Sequence, residues 1–428
     1  MSVSITGIGM VTALGLTPEQ AWQRCIRGES GIAGCRQFDT TGHACHSAAA
    51  VADYQLGNLR APKNQKFLNR GARHLMRAAL QALSCASAES GKFQPGRISI
   101  YTGSGHVGPE PSEFFRAFGI AKRPDGYPDW DQVGGRASRL LDPYFPLRSL
   151  SNSGVALLAM EMEARGPTNN FVHTDVASAL ALDAAYRDLI EGRCDLAVAA
   201  GFECLLTPGV YLAFEKQGLL SSLPPERALR PFDRDADGLV LGEGAAAVVL
   251  ERSEDARRRG APLLAEVSGF ATATEVSDCL EPLVSGEALA SVARSAAGGD
   301  NPDFLVASGF GVPEADRREA AVLSAIFGNQ LPVTAFKGFT GYVGAATALV
   351  EIVLGVLALR HRTIPPIAHH SRKADGVDLN LVASGPMTVP EDRQLSALFL
   401  TNSWSGQSAG IHLRLPKYPV RKRLNSST

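Results

Sequence analysis

The stretch NNFVHTDVASALALD, residues 169–183, places a carboxylate where an α/β protein can do chemistry. An aromatic and β-branched run stops at Asp175, and an Ala/Leu-rich helical pattern begins at once. A strand-to-helix turn of this kind presents free N–H groups and partial positive charge, which is why many α/β enzymes mount a nucleophile there. Asp175 has two readings. Asp is among the best N-caps, its carboxylate accepting N–H bonds from the first helical turn, and this is the reading carried forward. The alternative is a general acid or base.

Other groupings invite chemistry and receive structural readings. HACH, residues 43–46, and the pair His369 and His370 supply two His and one Cys or less, with no convincing fourth ligand, so surface loops and no metal site are expected. GSGHVG, residues 103–108, lacks a full dinucleotide fingerprint and runs into PEPSEFF in place of a clean helix start, so no nucleotide cofactor is expected.

The elements that must position Asp175 alternate. Apolar runs RISIYTG (97–103), DLAVAAG (195–201), AAAVVLE (245–251) and DFLVASG (303–309) read as strands, and FLNRGARHLMRAALQAL (67–83) as a helix. Near-continuous apolar strands separated by helices predict α/β sheets covered on both faces. The halves echo each other. GAATALVEIVLGVLAL, from Gly344, repeats the helix after Asp175, and NSWSGQSAGIHLRL (402–415) repeats the Gly-rich loop and strand of GLVLGEGAAAVVLER. ARRRGAP (256–262) lies between, so the expected halves are 1–260 and 261–428; KYPVRKRLNSST reads as a solvated tail.

Composition excludes several classes. With 45% apolar and 20% charged residues and a formal charge of -1, the 428-residue chain gives no electrostatic argument for nucleic acid or an anionic membrane. The N-terminus lacks a basic region followed by a long apolar one, and no run approaches roughly 18 uninterrupted apolar residues, so no membrane span is expected. Seven scattered cysteines without C-x-x-C spacing favour a reducing compartment, and a cytoplasmic protein is expected.

Several motifs together resemble the β-ketoacyl-ACP synthases, the condensing enzymes of the thiolase fold. RPFDRDADGLVLGEGAAAVVLE (230–251) is close to that family's signature for the loop and strand closing the first half. GRCDLAVAAGFE (192–203), EADRREAAVLSAIFG (314–328), KGFTG (337–341) and NSW before a Gly/Ser loop (402–410) follow in the family's order and spacing. The resemblance covers essentially the whole chain. It implies two duplicated α/β halves stacked as five αβαβα layers, and a dimer formed through a strand ending near Thr174.

The family's chemistry uses a Cys at a helix N-terminus to take an acyl chain as thioester, and two His to decarboxylate the malonyl extender and stabilise the enolate. Counting without gaps puts the nucleophile position on Asp175 and the first His position on Ser308, where the family has H-G-T and this chain SGF. In the K-x-x-T-G-H stretch Lys337 is retained and Tyr342 takes the second His position, with the chain one residue short before GAA. The gating loop, usually G-F-G-G, reads Ser405, Gly406, Gln407, Ser408, with Gly406 where the family keeps a Phe. Lys337 is expected as a structural cation offsetting Asp175. Ser308 and Tyr342 are expected to fill the imidazole volumes, Asp316 and Glu319 to hold the active-site loops, and His412 to lie in the core.

Losing the nucleophile alone costs on the order of 10^4 to 10^6 in rate, so the chain is not expected to condense by itself. An intact scaffold with altered reacting positions resembles the chain-length factors, or KSβ subunits. That implies an active ketosynthase as heterodimeric partner, an acyl carrier protein as second partner, and no cofactor. Asp175 departs from the Gln usual in the best-known of these subunits. The alternative is a repurposed enzyme in which Asp175, with Lys337 or Tyr342, performs acid/base chemistry such as cyclisation, hydrolysis or decarboxylation. In that case the N–H groups of Asp175 and Gly406 form an oxyanion hole, and Gly406 widens the pocket. Phe114, Phe115 and Phe118, on one face of PSEFFRAFG, have two readings: with the family's interface kept they close or line a tunnel between subunits, and otherwise they are ordinary core.

Overall fold

The computed structural model describes residues 2–57, 59–89, 91–105, 117–276, 285–390 and 394–417. Phe114 and Phe115, part of GSGHVG and most of the C-terminal tail lie outside them.

The apolar runs become strands: β1 (Val3–Thr12), β2 (Ile98–Ser104), β3 (Thr168–Val172), β4 (Leu196–Cys204), β5 (Glu243–Arg252), β6 (Ala265–Thr274), β7 (Phe304–Val306), β8 (Pro332–Thr334), β9 (Asn380–Leu381), β10 (Ser396–Asn402) and β11 (Gln407–Arg414). They join in the order β9-β8-β7-β10-β11-β6-β1-β5-β4-β2-β3. The duplication is visible in the pairing. In the first half β2 lies parallel between β3 and β4, then β4, β5 and β1 follow antiparallel. In the second, β7 lies parallel between β8 and β10, then β10, β11 and β6 follow antiparallel. The two half-sheets are joined edge to edge, because Val3–Ile5 of β1 pair with Ala265–Val267 of β6.

Helices form the other layers. Helix α1 (Arg70–Cys85) covers the outer face of the first half-sheet through Leu75, Ala78, Ala79 and Ala82. Helices α3 (Glu287–Ala297) and α4 (Pro313–Phe327) cover the outer face of the second. Between the sheets lie α2 (Ala177–Ile190) and α5 (Thr347–His361). The segment Gly344–His361 is long and apolar enough to cross a membrane by length and composition, yet it is 89% buried as the central core helix. A helix apolar on every face needs neighbours on every face, and α5 contacts β5 on one side and β10 on the other. The result is the αβαβα stack of the thiolase fold.

This topology dictates where a site can be. The parallel strands β2, β3 and β4 of one half and β7, β8 and β10 of the other end in loops at residues 104–105, 173–176, 203–205, 307–312, 335–346 and 402–406. Ligands of α/β sheets sit at such carboxyl ends, and here two sets meet between the halves.

Candidate functional site

The structure brings Asp175, Ser308, Tyr342 and Lys337 into one buried cluster. Asp175 follows β3 and is fully buried. Tyr342 and Lys337 lie between β8 and α5, and Ser308 follows β7. Backbone hydrogen bonds fix the register of Tyr342, whose N–H donates to the Val240 carbonyl at 2.8 Å and whose carbonyl accepts from Gly242 at 2.8 Å. Gly341, at φ +71°, makes the preceding turn; a Cβ there would lie 2.4 Å from the Ala49 methyl.

The cap expected at Asp175 is not formed. The helix begins at Ala177, Val176 stands at the N-cap position with φ -83° and ψ -6°, and no side chain caps it. Asp175 Oδ2 instead accepts a hydrogen bond from the Tyr342 hydroxyl at 2.9 Å, while Oδ1 has no hydrogen-bond partner among the described residues. Burial pushes the Asp175 carboxyl up to about 6, against the attraction of Lys337 and the Tyr342 hydrogen bond. Burial and the adjacent Asp175 carboxylate push the Tyr342 phenol well above its ordinary range, so the phenol is the donor.

Lys337 is likewise paired elsewhere than expected. Its ammonium donates to Glu351 Oε1 at 2.9 Å and to the Ser308 carbonyl at 2.7 Å, and it lies 4.9 Å from the Phe310 ring centroid. It touches Asp175 through its field and not through a direct ion pair. The reason is placement: Glu351 projects from α5 one helical turn behind the site and is 1% exposed, so the nearest cation is drawn to it. Burial pushes the Glu351 carboxyl up to about 7 against the pull of Lys337.

Ser308 is tied on all sides. Its hydroxyl donates to the Leu400 carbonyl at 3.2 Å and accepts from the Asn402 N–H at 2.9 Å and Nδ2 at 3.1 Å. Its loop is held from α4. Glu319 accepts from the Ser308 and Gly309 N–H groups, and Asp316 accepts from those of Phe232, Phe310 and Gly311. Both acids therefore hold loops. Burial raises both carboxyls, Asp316 to about 7.

The loop at Ser405–Ser408 overturns two further expectations. The Gly406 N–H donates to the Ser403 carbonyl at 3.2 Å, so it is not available as an oxyanion donor. Gly406 does not open a wider pocket either. It adopts φ +79° with its Cα against the Glu275 carbonyl, where a Cβ would come within 2.3 Å, and Trp404 fills the interior, 6% exposed. Ser405 Oγ hydrogen-bonds Ser403 Oγ at 2.7 Å and lies 3.4 Å from His173 Nε2, while Gln407 enters β11 opposite Thr274.

Four groups of the site were not singled out from sequence. Phe310 and Trp404 meet in a tilted arrangement with ring centroids 4.8 Å apart, and Phe310 also meets Tyr342 at 6.2 Å. Glu203, at the end of β4, is buried beside Asp175, and burial with that neighbouring charge pushes it up to about 8. Glu351 was legible as the lone carboxylate in an apolar helix, since a buried charge needs a partner. The remaining residues fall away from the cluster. Phe118 is half-buried in the helical turn 117–120. His43 pairs with Glu215 at 2.6 Å, His46 contacts Thr40 at 3.1 Å, and His369 Nδ1 lies 2.7 Å from the Ala228 carbonyl. His412 is buried in β11, and burial lowers its imidazole to about 4.

The model of the β-ketoacyl synthase N-terminal domain matches residues 1–256, and that of the β-ketoacyl synthase C-terminal domain matches residues 264–371. The chain belongs to the β-ketoacyl synthase family. The 3-oxoacyl-(acyl-carrier-protein) synthase 2 of Vibrio cholerae serotype O1 is 30% identical over 392 residues, covering 89% of this chain and 91% of that one. The protein of the same name from Coxiella burnetii is 28% identical, covering 93% and 95%. Among solved structures, a β-ketoacyl synthase from Burkholderia phymatum aligns with a TM-score of 0.86 at 20% identity, covering 97% of this chain and 100% of that one. The ishigamide ketosynthase/chain length factor aligns with a TM-score of 0.84 at 21% identity, covering 97% and 99%. These structural likenesses carry the fold; the ketosynthase family membership rests on the sequence matches.

Proposed function

We propose that this ketosynthase-family chain, with its halves dividing near residue 260, is a non-condensing subunit of chain-length-factor type. It pairs with an active ketosynthase and works on acyl carrier protein-bound chains in polyketide, polyene or fatty-acid-like biosynthesis. One observation carries the reading: at the strand-to-helix turn where the family's thiolate stands by resemblance, Asp175 is buried and hydrogen-bonded to Tyr342. A carboxylate cannot hold an acyl group as a lasting thioester, because an acyl anhydride hydrolyses readily. The hydroxyls of Ser308 and Tyr342 do not imitate neutral imidazoles at neutral pH.

A partner surface supports it. Among the described residues the outer edge of β3 is unpaired in the sheet, and most of the exposed large apolar side chains lie between residues 120 and 172, including Trp130 at 70% and Val172 at 56% exposure. An open edge beside an apolar patch is a pairing surface.

The test is intact-protein mass spectrometry of acyl-ACP and malonyl-ACP incubated with the chain, with and without a co-expressed ketosynthase. Product is expected only with the partner, and unchanged by Asp175→Ala. Elongation by the purified chain alone sinks the proposal.

A second reading has one observation in its favour. Asp175, at about 6 and with Oδ1 unpartnered, has the protonation behaviour of a general acid or base near neutrality. On that reading the chain alone transforms an ACP-bound substrate, and Asp175→Asn abolishes the change.

A further inference from the structure

Four aromatic rings run in a chain past Asp175. Phe214 lies 5.8 Å from Tyr342, Tyr342 lies 6.2 Å from Phe310, and Phe310 lies 4.8 Å from Trp404. Tyr342 and Phe310 are 1% exposed and Trp404 is 6% exposed, whereas Phe214, on the short helix Pro208–Lys216, is half-buried at the outer end. The rings belong to one apolar cluster with Leu206, Leu239 and Leu241. Phe310, Tyr342 and Trp404 come from three separate loops, after β7, after β8 and between β10 and β11, so no single loop movement removes them. Each is held in place independently. Phe310 N–H donates to Asp316, Tyr342 is hydrogen-bonded through its backbone and hydroxyl, and the Gly406 turn after Trp404 is closed on Ser403.

We propose that Phe310 and Trp404, with Tyr342, seal the Asp175 site against thioester-bearing chains, so that this subunit is closed to substrate as well as lacking a thiolate. The proposal rests on the non-condensing reading and deepens it. Restoring a thiol at residue 175 alone leaves the site unreachable, and any carrier-bound chain is loaded at the partner's site. Phe310 is the decisive ring, because it touches Tyr342, Trp404 and Lys337 and is the middle of the seal.

The experiment needs neither partner nor carrier protein, so it fails or succeeds separately from the condensation assay. Asp175→Cys, Asp175→Cys/Phe310→Ala and Asp175→Cys/Trp404→Ala are treated with iodoacetamide, and alkylation is followed by peptide mass spectrometry. Cys85, exposed, serves as the accessible reference, and Cys25, fully buried, reports on global unfolding. In Asp175→Cys, residue 175 is expected to react about tenfold or more slowly than Cys85, and either seal variant is expected to speed it by about tenfold or more while Cys25 stays protected. Residue 175 reacting within about twofold of Cys85 in the single variant overturns the proposal, as does a failure of both seal variants to accelerate it. If Phe310→Ala also exposes Cys25, Trp404→Ala decides.

Discussion

Lys337→Met is expected to lower stability by about 3 to 5 kcal/mol, the cost of leaving a buried partner charge without its counter-ion. Lys337 is 1% exposed and is the cation on Glu351 Oε1, while Glu351 Oε2 has no hydrogen-bond partner among the described residues. Without the ammonium, nothing opposes the burial that already pushes the Glu351 carboxyl up to about 7, so it moves higher and Glu351 folds in its neutral form. The sign of the pH dependence follows. A carboxyl whose folded pKa is raised contributes a penalty that appears as pH rises above its unfolded value of about 4.3 and levels off above the folded one. Raising that folded value further enlarges the penalty at high pH, so the loss in Lys337→Met is expected to be smaller at pH 5 than at pH 8. Adding Glu351→Gln is expected to recover part of it. The remainder, about 1 to 3 kcal/mol, is the Ser308 carbonyl that the ammonium no longer reaches. Chemical denaturation of the single and double variants at both pH values checks this, and a single-variant loss under about 1 kcal/mol would mean that the pair is not buried as described.

Family, layers and the echo between halves were legible in the sequence because they are written in local pattern. Near-continuous apolar runs specify strands covered on both faces, and an all-apolar helix such as Thr347–His361 can only be central. The identities gathered at the site were legible too, since Asp175, Ser308, Lys337 and Tyr342 follow from counting along motifs. Their partners were not. The sequence offers Lys337 a choice among Asp175, Glu203, Glu319 and Glu351, all buried, and only the meeting of strand ends from two halves decides for Glu351. The cap reading of Asp175 failed for the same reason. Local propensity favours a bond to the helix's own N–H groups, but a phenol 167 residues away reaches the carboxylate first. Gly406 was read by what it lacks, a side chain. The conformation it permits, φ +79° with the chain folded against Glu275, places Trp404 inside, and no spacing rule announces that.

Asp175→Asn is expected to stabilise the protein by about 3 kcal/mol at pH 8 and by much less at pH 4, because the side chain's present role is electrostatically unfavourable. The argument runs through its protonation. Burial holds the folded carboxyl at about 6, whereas the unfolded chain titrates near the ordinary 3.8. Below the unfolded value the carboxyl is neutral in both states and contributes nothing to the difference. As pH rises through that window the unfolded chain ionises first, so folding is penalised, and the penalty is complete above about pH 6. Asn is neutral throughout, nearly isosteric, and its carbonyl oxygen can accept the Tyr342 hydroxyl that Oδ2 accepts now. Removing the charge also relieves Glu203, which is raised to about 8 in part by Asp175, so Glu203 should ionise at lower pH in the variant. Melting curves of wild type and Asp175→Asn from pH 4 to pH 8 provide the measurement. A stability difference that stays flat across that range would show that Asp175 is not buried as a lone carboxyl. A destabilisation at pH 8 would show that its charge is held by a partner, and the site would then have to be read as one built to keep a carboxylate ionised.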